Sequence, residues 1–422
     1  MKKRLLISVM LLAVLLLFTA CGKMSDEKAI AAMKESDELW INYGLAAWEA
    51  GTETEDVSGI LSGGYKYLSL HNFMFTYDEE KSAAVAEDFF RFVADKYGLA
   101  AVLDTDKRVA YKTEYLHSLG FEFDYARSTE EENFFRTVTF QSDDTYAYIF
   151  TYKNASFTFT DLDVLGPNRM QTMIYDTCEF IDGFAEVVRE KKISDYFDPE
   201  RTVTFHCEDI GRGSGVSHAY TSGYIYMKST QALTHEYVHA VSKFSYGTTG
   251  SNTMLSEVVA SYFPEMEGLD AMLRRSYYNN LTVPISTYDK VIEQGGASAD
   301  GARYWKRIIE NYLAIGGKLD SYEDLDMYLV AQAMAMAVQT GGLSMYKTLA
   351  ETYDYARVFD GDDLYGDELS AFGYWLIDEY GLKPVLEVWK TNDFYGILGK
   401  DYETVKSEWL EFFEQYKKHT VY

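Results

Sequence analysis

Thr234-His235-Glu236-Tyr237-Val238-His239-Ala240 is the stretch on which the reading of this chain turns. A helix advances about 3.6 residues per turn, so His235 and His239 project from one face and can grip one metal ion. Glu236 is offset too far to ligate but can reach a water beside that ion. Ser229 and Thr230 supply N-cap candidates upstream, and Leu233, Tyr237 and Val238 give the helix the apolar content of a buried segment. With only seven histidines in the chain, two at ligand spacing around a glutamate carry weight that a lone histidine would not. Tyr246 to Asn252 is turn-rich and should end this helix.

A second helical pattern follows from Thr253 to Phe263. If the two helices pack antiparallel, Glu257 faces both histidines. Two imidazoles and one carboxylate, with a fourth position left for water, make a catalytic rather than a structural zinc set. The strings HEYVH and LSEVVASYF, with seventeen residues between His239 and Glu257, resemble the gluzincin metallopeptidases. That resemblance implies one zinc ion held by His235, His239 and Glu257, with Glu236 as general base. Two departures stand out. Val258 occupies a place where the family often has glycine, and Ser261 one where an acidic residue commonly orients a ligand histidine.

Met1-Lys2-Lys3-Arg4 and the apolar run Leu5 to Phe18 read as an export signal. It ends in Leu17-Phe18-Thr19-Ala20-Cys21-Gly22, which resembles a bacterial lipobox and implies lipidation of Cys21. Removal of residues 1 to 20 takes away Lys2, Lys3 and Arg4 and no acid, moving the formal charge from −27 to −30. So acidic a chain argues against nucleic acid and against a polybasic membrane contact, leaving the lipid as the expected anchor on the extracytoplasmic side. Cys178 and Cys207 could pair there, but two cysteines are no disulfide framework. With 47% apolar and 16% aromatic residues, the chain has material for large cores and two domains.

Residues 21–55 read as a helix from Ser25 to Ala50 followed by a tether beginning at Gly51. Residues 56–165 look like a small α+β domain: an amphipathic helix over 79–103 with Gly98 as C-cap, then a three-stranded meander at Arg136–Phe140, Tyr146–Phe150 and Phe157–Thr160. Residues 166–422 carry the order helix, strand, strand, metal helix, and become almost wholly helical beyond Gly268. This order is similar to that of zincin peptidases, so the expected class is α+β with a zincin-like domain whose C-terminal half is helical. In such folds an exposed strand, here Gly223, Tyr224, Ile225 and Tyr226, would hold an extended peptide. A Tyr before the aromatic helix near Ser370 often steadies the developing oxyanion, which points to Tyr365, with Tyr374 and Tyr262 as competitors. His206 and His218, without helical spacing to another ligand, read as ordinary polar residues.

The expected activity is hydrolysis of peptide or protein substrates. A catalytically silent binding lipoprotein on the same scaffold is the rival, although an intact Glu236 speaks against it. A solute-binding protein would need two α/β lobes, and the helical C-terminal half does not supply them.

Overall fold

The computed structural model describes residues 24–160, 165–207, 218–219, 223–227, 233–244, 253–340 and 366–419. The chain divides into two compact units, residues 1–141 and 142–422. Cys21, Ser229, Thr230, Tyr365 and the turn at 246–252 lie outside the described residues.

The first unit is helical. The helix expected from Ser25 to Ala50 is instead two, α1 (Asp26–Lys34) and α2 (Leu39–Ala50). Between them Ser36 Oγ competes for the backbone, accepting from the Glu38 amide at 3.2 Å, and Asn72 Oδ1, from farther along the chain, accepts from the Leu39 amide at 3.0 Å. The segment from Gly51 is not a bare tether, since it contains a short helix at Ser58–Leu61 with Val57 and Leu61 buried. α3 (Glu79–Tyr97) stops at Gly98, whose φ is 91°, as its sequence indicated. After α4 (Arg108–Ser118), the first expected strand is not formed as such: Arg136 and Thr137 end α5 (Thr129–Thr137), and only Phe140–Gln141 is a strand. Ser128 caps α5 by accepting from the Glu131 amide at 3.1 Å, and Glu130, Glu131 and Glu132 face the positive end of its dipole. Inside this unit Lys112, 1% exposed, donates to Glu132 at 2.9 Å and to the Ser69 carbonyl at 2.9 Å.

The second unit is α+β. Strands β1 (Tyr148–Tyr152) and β2 (Ala155–Phe159) form an antiparallel hairpin across Lys153 and Asn154. They belong to this unit's sheet rather than to a domain ending near 165. α6 (Pro167–Glu190) leads to β3 (Val203–His206), β4 (His218–Ala219) and β5 (Tyr224–Tyr226). The sheet is mixed, in the order β1-β2-β3-β5-β4, with β3 parallel to both β2 and β5, and β4 antiparallel to β5. β5 can lie this close to β3 because its entry residue is glycine. Gly223 has φ 83°, and a Cβ there would sit 2.1 Å from the Thr202 carbonyl oxygen.

The remainder is helical, as expected: α7 (Leu233–Val241), α8 (Thr253–Glu265), α9 (Ala271–Leu281), α10 (Ile285–Gln294), α11 (Ala297–Ala314), α12 (Met327–Thr340), α13 (Gly366–Tyr380), α14 (Leu382–Thr391) and α15 (Tyr402–Lys417). Leu281, Ile308, Tyr312, Val330, Ala333 and Ala337 close one core among α9, α11 and α12, so the small residues of α12 serve tight helix packing. Cys178 and Cys207 are both buried and do not pair. No helix among the described residues is long and apolar enough to cross a membrane.

Tyrosine hydroxyls recur as partners of carboxylates. Tyr152 donates to Asp182 at 2.8 Å, Tyr196 to Glu387 at 2.6 Å and Tyr380 to Glu408 at 3.0 Å, while in the first unit Tyr115 donates to Asp88 and Tyr43 to Glu79.

Candidate metal centre

α7 is buried because its apolar residues meet both the sheet and α6. The Tyr237 ring stacks on Phe205 at 12° and meets Phe180 and Phe184 edge-on, and Val238, Ala240 and Val241 are 1% exposed or less. Both ends of the helix are tied from outside. At its start, Thr234 Oγ1 donates to Asp270 Oδ2 at 2.6 Å, and the same carboxylate caps α9 by accepting from the Leu273 amide at 2.7 Å. At its end, Arg201 Nη1 donates to the carbonyls of Ala240 and Ser242 at 2.8 and 2.9 Å, and the Asp198 amide donates to the Val241 carbonyl at 2.8 Å. A cation on the last carbonyls also complements the helix dipole.

α8 brings Glu257 opposite the histidines. Ser256 Oγ accepts from Trp389 Nε1 at 2.8 Å, and Val258 packs directly over Gly373 of α13, where any Cβ would lie 2.1 Å from Val258 Cγ1. The close approach of the two helices at Val258 thus depends on glycine at position 373. Farther along α8, the Tyr374 hydroxyl donates to the Glu265 carboxylate and lies 3.3 Å from the Ser261 carbonyl.

Three side chains that could hold a metal ion converge. His235 Nε2 is 3.1 Å from Glu257 Oε2 and 3.1 Å from His239 Nε2, which is 3.3 Å from Glu257 Oε1. Zinc bonds of about 2.0–2.1 Å in a tetrahedron require ligand atoms about 3.3 Å apart. The donor set and its spacing therefore fit a tetrahedral ion with one position open. Among the described residues these three form the group of His, Cys, Asp or Glu able to hold a metal. Burial would raise the Glu257 carboxyl, but the two imidazoles outweigh it and hold the group well below the usual carboxylate range. Burial disfavours a charged His235, yet Glu257 beside it tips the balance and raises its pKa, with Glu236 and Glu265 adding to the effect. Glu236, next to the first ligand, is 6% exposed.

Sequence reasoning missed several supports of this site. Asp270 meets Thr234 across 36 residues and Arg201 reaches a helix end 39 residues away, neither with a local signal. Ser261 lies with its Oγ 3.3 Å from His235 Nδ1. Glu267 accepts from Tyr262 at 2.6 Å and pairs with Lys191 at 2.8 Å. Tyr262 and Tyr374, the competitors of Tyr365, thus both have hydroxyls committed to carboxylates.

The expected peptide-holding strand requires correction. Gly223, Tyr224, Ile225 and Tyr226 do not form an edge: β5 is flanked by β3 on one side and by β4 on the other, with Ala219 opposite Ile225 and His218 opposite Tyr226. Strand alternation also sends Tyr224 and Tyr226 to the sheet face opposite Phe205 and α7. His206 lies on that far face too, stacked on Tyr224 at 3.8 Å with Nδ1 3.3 Å from Thr158 Oγ1, away from the ligand cluster. Among the described residues, the outer strand on this side of the sheet is His218–Ala219, antiparallel to β5.

No family model matches the chain, nor does any curated protein or solved structure.

Proposed function

We infer that the protein is a zinc-dependent metallopeptidase of gluzincin type on a zincin-like fold, exported and held at the membrane through a lipid on Cys21. The observation that carries this reading is the mutual spacing of His235 Nε2, His239 Nε2 and Glu257, with Glu236 on the same helix. His235, His239 and Glu257 would hold the ion. Bound there, zinc would supply Lewis acidity that polarises a scissile carbonyl and acidifies the attacking water. Glu236 takes the proton of that water on its carboxylate and passes it to the leaving amine. An extended peptide would pair along His218–Ala219, the outermost strand of this sheet beyond β5 among the described residues. Tyr365 stays the candidate hydroxyl for the oxyanion, since its two competitors are engaged elsewhere.

The test is zinc content of the purified mature chain together with digestion of a broad peptide library, run for wild type and Glu236→Gln. One zinc per chain in both proteins, with cleavage only by wild type, is expected, because the amide is nearly isosteric but accepts no proton. Zinc without cleavage by wild type would replace this reading with that of a silent binding lipoprotein.

A further inference from the structure

We propose that Ser261 is the positioning residue for His235, accepting the Nδ1 proton on its hydroxyl oxygen and so presenting Nε2 as a lone-pair donor. The inference rests on the metal reading of the site and concerns what tunes it. Ser261 follows Glu257 by four residues on α8, so one face of that helix offers both a carboxylate and a hydroxyl. Nδ1 of His235 lies 3.3 Å from Ser261 Oγ, while Nε2 faces the cluster, 3.1 Å from both Glu257 Oε2 and His239 Nε2. A proton on Nδ1 directed to the serine oxygen leaves the Nε2 lone pair turned toward that cluster, free to ligate.

The rest of α8 makes the contact a built one. The Tyr374 hydroxyl lies against the Ser261 carbonyl and donates to Glu265 one turn on, and Trp389 donates to Ser256 five residues before. Position 261 is thereby fixed from both sides along the helix. The charge consequence is specific to a serine. A carboxylate at this place would add a second negative group beside the ion, whereas the hydroxyl orients the ring and leaves Glu257 as the one anionic ligand. With less negative charge around it, the ion stays a stronger Lewis acid and is bound less tightly.

The experiment is competition between a chromogenic chelator and the metal-free full-length mature chain for zinc, in wild type, Ser261→Ala, Ser261→Thr and Ser261→Asp. Ser261→Ala should bind zinc about tenfold more weakly or worse, with the thermal midpoint of the metal-free protein unchanged. Ser261→Thr should restore the affinity, and Ser261→Asp should equal or exceed wild type. Cobalt substitution adds a second readout, a visible spectrum altered in Ser261→Ala and restored in Ser261→Thr. Wild-type affinity and spectrum in Ser261→Ala would overturn the inference while leaving the metal site standing. A wild-type chain that binds no zinc would overturn both.

Discussion

Replacing Gly373 by alanine tests whether the facing-helix contact sets the place of Glu257. A Cβ at 373 would lie 2.1 Å from Val258 Cγ1, 2.6 Å from Cγ2 and 2.9 Å from Cβ. Carbon atoms rest about 3.5–4.0 Å apart, so the gap must open by about 1.4 Å or more. Val258 is 1% exposed and β-branched, with one strongly preferred helical rotamer, so the side chain cannot swing clear and a helix must move. Overpacking of this kind costs about 1–3 kcal/mol. At about 2–4 °C per kcal/mol for a unit of this size, the melting midpoint should fall by about 2–12 °C. Because Glu257 immediately precedes Val258, its carboxylate moves with the backbone, beyond the tolerance of about 0.5 Å that a preorganised site allows. Zinc affinity should fall with stability. Val258→Ala in the same chain removes the two closest atoms and should recover part of both losses, giving an interaction energy of about 1 kcal/mol or more in a double-mutant cycle. Denaturant unfolding and chelator competition measure the two quantities. Wild-type stability and zinc affinity in Gly373→Ala would refute the packing argument.

Removal of any one of His235, His239 or Glu257 by alanine should abolish stoichiometric zinc, measured by metal analysis, and full occupancy in Glu257→Ala would reassign the third ligand. Tyr365→Phe should lower kcat about a hundredfold or more with zinc content and KM little changed, and an unaltered kcat would remove its role. Stability should hold up to about pH 10, the ordinary tyrosine range, and decline above it. Burial and the bond to Asp182 push Tyr152 up to about 12, so the folded state keeps a proton that the unfolded chain releases first. Tyrosinate absorbance read alongside circular dichroism checks this, and ionisation near pH 10 with no loss of stability would contradict it. Cys21→Ala should release the protein from the membrane fraction or leave its signal uncleaved, and a cleaved variant still in that fraction would exclude the lipid as anchor.

The parts of this molecule legible in its sequence are those set by short periods. The pair His235 and His239 follows from helical spacing alone. Glu257 required a resemblance, because nothing within seventeen residues says how the next helix turns back. The strand at Tyr224 was found but misjudged as an edge, since its outer partner, His218–Ala219, is two residues long and shows no alternation. Arg136 to Phe140 alternated like a strand, yet the cap at Ser128 and the acidic first turn of α5 prevailed through Thr137. The break after Lys34 was signalled by Ser36, whose Oγ accepts from the Glu38 amide, and the apolar period on either side concealed it. Arg201, Asp270 and Trp389 were not legible at all, because each acts across a distance in the chain that only the assembled fold closes.

The tyrosine–carboxylate bonds have a consequence for how this chain carries its excess of 66 acidic over 39 basic residues. A phenol satisfies a carboxylate without cancelling it. Local geometry is therefore secured by short dipolar bonds, while the surplus of negative charge is left to act at long range. The two respond differently to ionic strength. Physiological salt screens the far field within about 8 Å but leaves an O–H···O⁻ contact intact. Added salt should let copies of the protein approach one another while hardly moving the melting point, so that colloidal behaviour and fold are governed by separate sets of interactions.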